Sequence, residues 1–208
     1  MRRPGTAQNV AHCKLLLGWV VYFLLYALTE TLIPVDACHV IHCALDDRIP
    51  FCEFFALFYV LWYGLIAFSL LYFLLRSPES FRKLQIYIFL VQGMATLVFI
   101  LYPSCQLLRP TQFPRQNFLT AVMQAIYCID TNTGVFPSLH AAISIAMASV
   151  WCREQGICRW VKATIVWFCF MVCLSVCFVK QHSVLDVLGA IPVCLIAEWI
   201  LYRRKKKS

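Results

Sequence analysis

His182 and Asp186 are the residues of this chain whose types and spacing point most directly to chemistry. They lie four positions apart, so on a helix they would share one face. A carboxylate there accepts a hydrogen bond from one imidazole nitrogen, which fixes the tautomer and leaves the other nitrogen as a nucleophile or base. The pair closes one apolar stretch, residues 165–179, and opens another, residues 184–202; ionisable groups at the edge of a membrane span are costly and functional by default. The alternative is a buried His–Asp hydrogen bond that only stabilises a turn.

A second group of residues would place a helix end and a proton donor near this pair. Pro137 is suited to the start of a helix, and the free N–H groups of that first turn favour an anion such as phosphate. The Ser138 hydroxyl could add to this binding, and His140 could hand a proton to a leaving oxygen. The alternative is a capped helix with an interfacial histidine.

Two cations complete the set of candidates. Arg109, which is followed by Pro110, presents a planar fork of donors that suits phosphate oxygens. Lys180, two residues before His182, would add a point charge for a phosphoryl group. An arginine that extends from the membrane edge toward water is the alternative for Arg109.

The composition shows that a membrane must position these residues. Hydrophobic residues make up 62% of the 208-residue chain and charged residues 13%, whereas soluble domains average about 45–50% and about 25%. A helix crosses the hydrocarbon core with about 20 mostly apolar residues, and lipid-exposed sheet edges are not tolerated there. We predict an all-α, polytopic membrane protein with a single domain, residues 1–208, and six transmembrane helices. The six apolar segments are residues 14–33, 52–75, 84–102, 135–152, 161–179 and 184–202.

The distribution of Lys and Arg predicts the orientation. Of the 18 such residues, all but Arg48, Arg109, Arg115 and Lys180 precede the first segment, follow the sixth, or lie in the second and fourth connections. The positive-inside rule therefore places both termini in the cytoplasm. The two histidines, Asp186 and Arg109 then lie together at the extracytoplasmic or lumenal face, although the motifs were not used to derive the topology. The net charge of +8 reflects this asymmetry and a basic tail suited to anionic lipid, so no nucleic-acid partner is predicted.

The connections carry further expectations. The first segment lacks a cleavage site before Pro34 and is interpreted as a retained signal anchor. The first outer loop, residues 34–51, is expected to include a short interfacial helix around 37–45. The second, residues 103–134, is expected to start irregularly at its prolines and to include a short interfacial helix at 116–129. An outer disulfide stays open, with no predictable pairing, and no Cys-x-x-Cys spacing indicates zinc.

Together these residues fit phosphoryl transfer through a histidine intermediate. His182 would attack phosphorus, and His140 would protonate the departing alkoxide. Arg109, Lys180 and the helix end at Ser138 would stabilise the phosphoryl oxygens. Water or an alcohol would then attack the phosphohistidine with His140 as the base. Fixed cations would take the place of a metal, so neither a metal nor another cofactor is expected.

These residues resemble the three motifs of the type-2 phosphatidic-acid phosphatase superfamily, whose members are six-helix membrane enzymes. The resemblance is carried by Arg109-Pro110, by the run Pro137-Ser138-Leu139-His140 and by His182 with Asp186, and it covers about residues 103–190. It implies that His182 is the nucleophile, Asp186 its orienting partner and His140 the acid–base group. A weaker resemblance is the segment from Asp46 to Phe51, which is similar to one found before the second helix in relatives.

Three departures from the family pattern concern the reaction type. Tyr102 stands where the family has a lysine, Leu139 where it has a glycine, and Val176 where it has an arginine. With these changes the chain is similar to the inositol phosphorylceramide and sphingomyelin synthase branch, which transfers lipid head groups. The resemblance therefore implies phosphoryl transfer on a phospholipid, isoprenyl or sphingolipid phosphate and leaves hydrolysis and transfer open. The oligomeric state is not predicted.

One alternative belongs to another class of protein. A small transporter or channel would use polar residues inside the apolar segments, namely Glu30, Gln92 and Glu198, to line a path. It predicts substrate flux that survives the loss of His182, whereas a phosphoryl-transfer enzyme needs that residue.

Overall fold

The computed structural model describes Leu15 and residues 17–32 and 37–203 of the chain, with no side chains described for residues 29–32. This part is mostly helical, as predicted, and contains eight α-helices, one 3-10 helix and two very short strands. The α-helices are α1 (Leu17–Leu32), α2 (Ala44–Arg48), α3 (Ala56–Arg76), α4 (Pro78–Leu101), α5 (Phe118–Ile129), α6 (Leu139–Arg153), α7 (Arg159–Phe178) and α8 (Val184–Arg203). The strands are β1 (His39–Val40) and β2 (Ser104–Cys105), and the 3-10 helix is Glu53–Phe55.

Four helical segments of the described chain are long and apolar enough to cross a membrane. They are Glu53–Arg76, Pro78–Leu101, Arg159–Phe178 and Val184–Arg203. They correspond to the second, third, fifth and sixth predicted segments and confirm an integral membrane protein. Helices α1 and α6 stand at the first and fourth predicted segments but have 16 and 15 residues, which makes them shorter than the usual span of about 20. Of the basic residues at the two ends of the chain, Arg203 is described, whereas Arg2, Arg3, Lys14 and those at 204–207 lie outside the described residues.

The core lies around α6, which packs against α4, α7 and α8. Ala141, Ala142 and Ala146 are fully buried on this helix, and such small side chains let neighbouring helices approach closely. At the other end of α6, Trp151 is 1% exposed, and its Nε1–H donates to the Ser69 hydroxyl of α3 at 2.9 Å. Helix α6 is therefore the buried centre of the bundle, and its first residues reach the site described below.

The connections between helices form a layer in which the two long outer loops meet. The N–H of His39 donates to the carbonyl of Pro103, and the N–H of Ile41 to that of Cys105, both at 2.8 Å. This parallel pairing of β1 with β2 was not predicted. The interfacial helix expected at 37–45 is wrong in position, because residues 39–40 pair with the second loop and α2 begins only at Ala44. No two cysteines of the described chain form a disulfide.

The helix predicted at 116–129 is confirmed as α5. Asn117 caps it: its side-chain oxygen accepts from the N–H of Thr120 at 3.0 Å, and the Thr120 hydroxyl accepts from the N–H of Asn117 at 2.9 Å. These reciprocal bonds satisfy two N–H groups that a helix start leaves free. The helix leads the chain back from the loop layer to the residues that precede α6.

Candidate active site

The turn that carries His182 forms the C-terminal end of α7. Lys180 has a φ of 55°, the left-handed region that normally favours glycine. The N–H of Gln181 donates to the carbonyl of Val176 at 2.9 Å. The N–H of Lys180 donates to the carbonyl of Cys177 at 3.2 Å. This is the pattern of a Schellman motif, which ends a helix and reverses the chain. The N–H of His182 joins it with a bond to the Val176 carbonyl at 3.0 Å.

Asp186 is held in the first turn of α8. Its Oδ2 accepts from the N–H of Ser183 at 2.8 Å, which is one half of a capping box. The same oxygen lies 3.3 Å from Nδ1 of His182. Their spacing suggested a shared helix face, but His182 lies outside the helix, because α8 begins only at Val184. The turn brings them together instead. Asp186 is fully buried, and its Oδ1 has no hydrogen-bond partner in the described chain.

This contact decides which nitrogen of His182 is left for chemistry. A carboxylate on Nδ1 favours the tautomer that carries its proton there, so the lone pair stays on Nε2. His182 is 8% exposed and belongs to the wall of a cavity. An orienting carboxylate behind an imidazole that meets a cavity is the arrangement that activates a nucleophile or a base.

A second carboxylate, Asp46 of α2, holds the same turn from the first outer loop. Its Oδ1 accepts from the N–H of Val184 at 2.8 Å, and its Oδ2 from the Ser183 hydroxyl at 2.6 Å. The backbone carbonyl of Asp46 accepts from Nζ of Lys180 at 2.7 Å. We call these contacts of Asp46 with Lys180, Ser183 and Val184 the loop brace. They fasten residues that are 134 or more positions apart in sequence.

The electrostatics of Asp46 follow from the loop brace. Asp46 is 2% exposed. Burial acts to raise the pKa of its carboxyl, but hydrogen bonds outweigh burial and hold the pKa below its ordinary value. The largest of these contributions comes from the Ser183 hydroxyl, followed by the N–H groups of Val184 and Cys43. The carboxylate at the start of α8 also interacts favourably with the positive end of the helix dipole.

His140 enters from the first turn of α6, whose start is tied to α8. Ser138 caps α6, and its hydroxyl accepts from the N–H of Ala141 at 3.4 Å. The N–H of Ser138 donates to the backbone carbonyl of Asp186 at 3.0 Å. This bond links the two helix starts directly, so the His140 and His182 rings lie with their centroids 5.6 Å apart. Both rings are within reach of one phosphoryl group.

Aromatic side chains of α3 surround the His140 ring. The centroid of Trp62 lies 4.3 Å from that of His140, and the centroid of Tyr59 lies 4.6 Å away. Nε2 of His140 is buried and has no hydrogen-bond partner among the described residues. The ring is thus held by packing, and its free nitrogen stays unpaired beside His182.

Arg109 contacts the site indirectly, through hydrogen bonds to Gln181 and to the loop before α6. Its Nη2 donates to Oε1 of Gln181 at 2.6 Å and to the backbone carbonyls of Asp130 and Thr131 at 2.9 and 2.7 Å. Its guanidinium also lies 4.6 Å from the centroid of the Tyr127 ring. In this structure the arginine orders the loop before α6 and the residue next to His182.

The three residues predicted to bind phosphate therefore all have structural contacts. Arg109 holds Gln181 and the loop, Lys180 belongs to the loop brace, and Ser138 is fully buried as a helix cap. None of the three lines the cavity beside the histidines. Their role toward phosphate stays a prediction. The residues brought together at the cavity are His140 and His182, with Asp186 behind the latter.

The cavity has a volume of about 470 Å³. At its polar end the wall includes His140, His182, Gln181 and Asp130. The Asp130 carboxylate accepts from the Tyr59 hydroxyl at 2.8 Å and from Nε2 of Gln181 at 3.2 Å. Most of the remaining wall is apolar or aromatic, with α1 contributing Trp19, Tyr22, Phe23 and Tyr26. Among the described residues that line the cavity there is no Lys or Arg.

Three residues of this site were not singled out from the sequence. Gln181 is the neighbour of His182 in sequence, and Asp130 lies in the loop of residues 103–134. A single amide or carboxylate in a loop, however, forms no sequence pattern that indicates a function. Asp46 was noted only as part of a segment that resembles relatives. Its partners, Ser183 and Val184, are too far away in sequence for any spacing rule to connect them. Of the residues assigned to the transporter path, Gln92 lines the cavity, and Glu198 is paired with Arg153 and Ser149.

Comparison with known proteins gives one match. A family model described as the PAP2 superfamily matches residues 82–208, a range that contains His140, His182 and Asp186. It confirms the resemblance seen in the three motifs, whereas the synthase branch within it is not confirmed. Searches of curated proteins and of solved structures returned no match.

Proposed function

Because this chain belongs to the PAP2 superfamily, which supports a phosphatase or phosphotransferase type of function, we propose that it is a membrane lipid phosphatase. Its substrate is a lipid phosphate of the phospholipid, isoprenyl or sphingolipid class, and the reaction proceeds through a phosphohistidine on His182. The catalytic core comprises about residues 103–190 of a single domain. The reaction needs no metal ion or other cofactor.

One observation carries this proposal. His140 and His182 lie with ring centroids 5.6 Å apart in the wall of one cavity, and the rest of that wall is mostly apolar. The polar end suits a phosphoryl group, and the apolar part suits the chains attached to it. Asp186, 3.3 Å from Nδ1 of His182, makes His182 the better nucleophile of the two histidines, since no carboxylate of the described chain pairs with His140.

The steps follow from these positions. Nε2 of His182 attacks phosphorus and forms an N–P bond, while the bond from phosphorus to the lipid oxygen breaks. His140 in its protonated form donates a proton to that oxygen, so the lipid leaves as an alcohol. His140 then takes a proton from water, which attacks the phosphohistidine. Inorganic phosphate leaves, and His182 returns to its starting form.

The membrane arrangement forms part of the proposal. We infer six transmembrane helices with both termini in the cytoplasm, and an active site at the extracytoplasmic or lumenal surface. The pairing of β1 with β2 and the loop brace support a common side, because they join the first outer loop to the second and to the turn after α7. The Lys and Arg distribution supplies the direction.

Head-group transfer is a second candidate, and one observation favours it. The described wall of the cavity contains no Lys or Arg, and the donors of Arg109 and Lys180 are engaged elsewhere. A phosphomonoester carries close to two negative charges at neutral pH, and a phosphodiester carries only one. A site with few cations therefore fits a phosphodiester. Nε2 of His182 would attack its phosphorus, the lipid alcohol would leave, and the phosphate-bearing head group would pass from His182 to another alcohol in place of water.

Labelled substrates test both candidates. The purified chain is incubated with lipids that carry radiolabelled phosphate, with and without a lipid alcohol. Label in inorganic phosphate indicates hydrolysis, and label on the second alcohol indicates transfer. His182→Ala should reduce either product by about 10⁴-fold or more. His140→Ala should lose about 10²–10⁴-fold, but less with a nitrophenyl ester whose leaving group needs no proton. Full activity in both variants would refute the proposed mechanism.

A further inference from the structure

The cavity extends well past the histidines, into the part of the protein between the spanning helices. Trp62 and Leu70 both line it on α3, and the eight residues from one to the other correspond to about 12 Å of helix. Trp62 is the residue in ring contact with His140, at 4.3 Å between centroids. A lipid with its phosphate at the histidines would therefore place its backbone and chains in the deeper part.

Gln92 of α4 is a buried polar residue of this wall that the proposed mechanism does not use. It is 2% exposed and lines the cavity. Neither Oε1 nor Nε2 of its amide has a hydrogen-bond partner among the described residues. An unpaired buried donor or acceptor destabilises the fold, and an apolar side chain of the same shape would avoid that destabilisation. Nε1 of Trp62, in the same wall, is also unpaired.

A second glutamine on α4 shows what a structural amide looks like in this protein. Gln85 is seven residues earlier, so it lies on nearly the same face of the helix. It is fully buried, and its Oε1 accepts from the Nε1–H of Trp19 at 3.1 Å, while its Nε2 has no partner among the described residues. That bond fastens α1 to α4. Gln92 has no such bond, although it is equally buried and lies against the cavity.

We propose, on the basis of the function proposed above, that Gln92 is the centre of a second subsite, in the part of the cavity wall that α4 forms. This subsite binds a group of the lipid substrate that both donates and accepts a hydrogen bond, namely a hydroxyl or an amide. Such a group donates to Oε1 of Gln92 and accepts from Nε2. An ether or ester oxygen only accepts, and it leaves Oε1 unpaired. Gln92 thereby determines specificity through the lipid backbone and does not touch the reacting atoms.

Binding of phosphate-free lipids tests the subsite without relying on catalysis. Three probes share one chain length: an N-acyl amide, a monoether with one free hydroxyl, and a dialkyl ether with neither group. The purified protein in detergent should bind the amide or the hydroxyl probe about 10-fold or more tightly than the dialkyl ether. Whichever of the two binds more tightly identifies the group. Gln92→Met, which keeps the volume but removes the amide, should bind the three probes within about threefold of one another.

The outcomes separate this inference from the proposed function. Equal binding of the three probes by the wild-type protein overturns the subsite, and so does a Gln92→Met protein that keeps the preference. If that variant does not fold, Gln92→Leu takes its place, and the wild-type comparison decides in any case. A protein that prefers the hydroxyl or amide probe but transfers no phosphoryl group refutes the proposed function and leaves the subsite standing.

Discussion

The turn around His182 and the cavity wall beside it differ in whether their buried polar groups have hydrogen-bond partners. In the turn, the Asp46 carboxylate accepts three hydrogen bonds, and the N–H groups of Lys180, Gln181 and His182 all have carbonyl partners. In the wall, Nε2 of His140 and both ends of the Gln92 amide have no hydrogen-bond partner among the described residues. Both regions are buried, so their difference does not come from access to water.

This difference separates positioning from recognition. A nucleophile must be held within a fraction of an ångström of its productive geometry, and a saturated set of hydrogen bonds around the turn does that. Groups that meet a substrate must instead keep their hydrogen-bonding capacity until it arrives. Unpaired polar groups cost about 1–3 kcal/mol each, so a fold tolerates them where a ligand supplies partners. Asp186 joins both regions, since its Oδ2 is bonded and its Oδ1 is unpaired.

Asp186→Asn should produce the largest effect on the turn. The amide oxygen can keep the bond from the N–H of Ser183, so the fold should survive. The same oxygen also faces Nδ1 of His182, but the amide has no negative charge to stabilise the positive charge that the His182 ring gains when Nε2 binds phosphorus. We expect kcat to fall by about 10²–10⁴-fold, measured as the initial rate of phosphate release or transfer.

A matched measurement guards against trivial unfolding. The thermal unfolding midpoint of Asp186→Asn in detergent should stay within a few degrees of the wild-type value. If the variant folds and keeps kcat within about threefold, then Asp186 is only a structural cap and His182 is not oriented by it.

Asp46→Asn tests whether the loop brace acts through positioning. An amide cannot accept all three donors that reach this carboxylate, and its NH₂ would face one of them. The turn should shift, and a misplacement of about 1 Å costs up to about 10²-fold in rate. We expect kcat to fall by about 10–100-fold with KM changed by less than threefold, because the loop brace does not line the cavity.

The adjacent carboxylate provides the control. The Asp47 side chain is 67% exposed and is paired only with His42 in the described chain, at 2.8 Å. Asp47→Asn should leave kcat within about twofold. If the two variants lose activity equally, or if Asp46→Asn raises KM without lowering kcat, the loop brace does not position His182.

Much of the fold was predictable because hydrophobic length is a strong signal. Four of the six apolar segments appear as helices long enough to span a membrane, and the helix predicted at 116–129 is present as α5, although its Asn117 cap was not predicted. The start of α8 at Val184 coincides with the start of the sixth predicted segment, whereas the spacing of His182 and Asp186 could not show that a turn, and not a shared helix face, brings them together. The pairing of β1 with β2 was missed for another reason: two residues per strand leave no periodic pattern.

The candidate site was predictable where residue type and family pattern coincide. His140, His182 and Asp186 were named from the sequence, and the structure brings them together. Arg109 and Lys180 show the limit of such reasoning. A cation near a histidine suggests phosphate binding, yet only the structure shows that the loop carbonyls and Gln181 accept hydrogen bonds from Arg109. Gln92 shows the same limit in reverse, since an amide in an apolar helix could be structural, as Gln85 is.

The smallest effect we predict is a pH dependence of stability. It should come from the Asp46 carboxylate of the loop brace and not from the cavity wall. The pKa of Asp46 is lower in the folded protein than its ordinary value, which is about 3.9 in an unfolded chain. Its carboxylate therefore contributes stability that is complete above the unfolded value and is lost as pH falls through the folded value. The difference in unfolding midpoint between the wild-type protein and Asp46→Asn should be constant from about pH 7 to about pH 5 and shrink below about pH 4. Gln92→Met removes no titratable group, so its difference from the wild-type protein should not change over the same range. A difference for Asp46→Asn that stays constant or widens in acid would mean that the charge of Asp46 does not stabilise the turn.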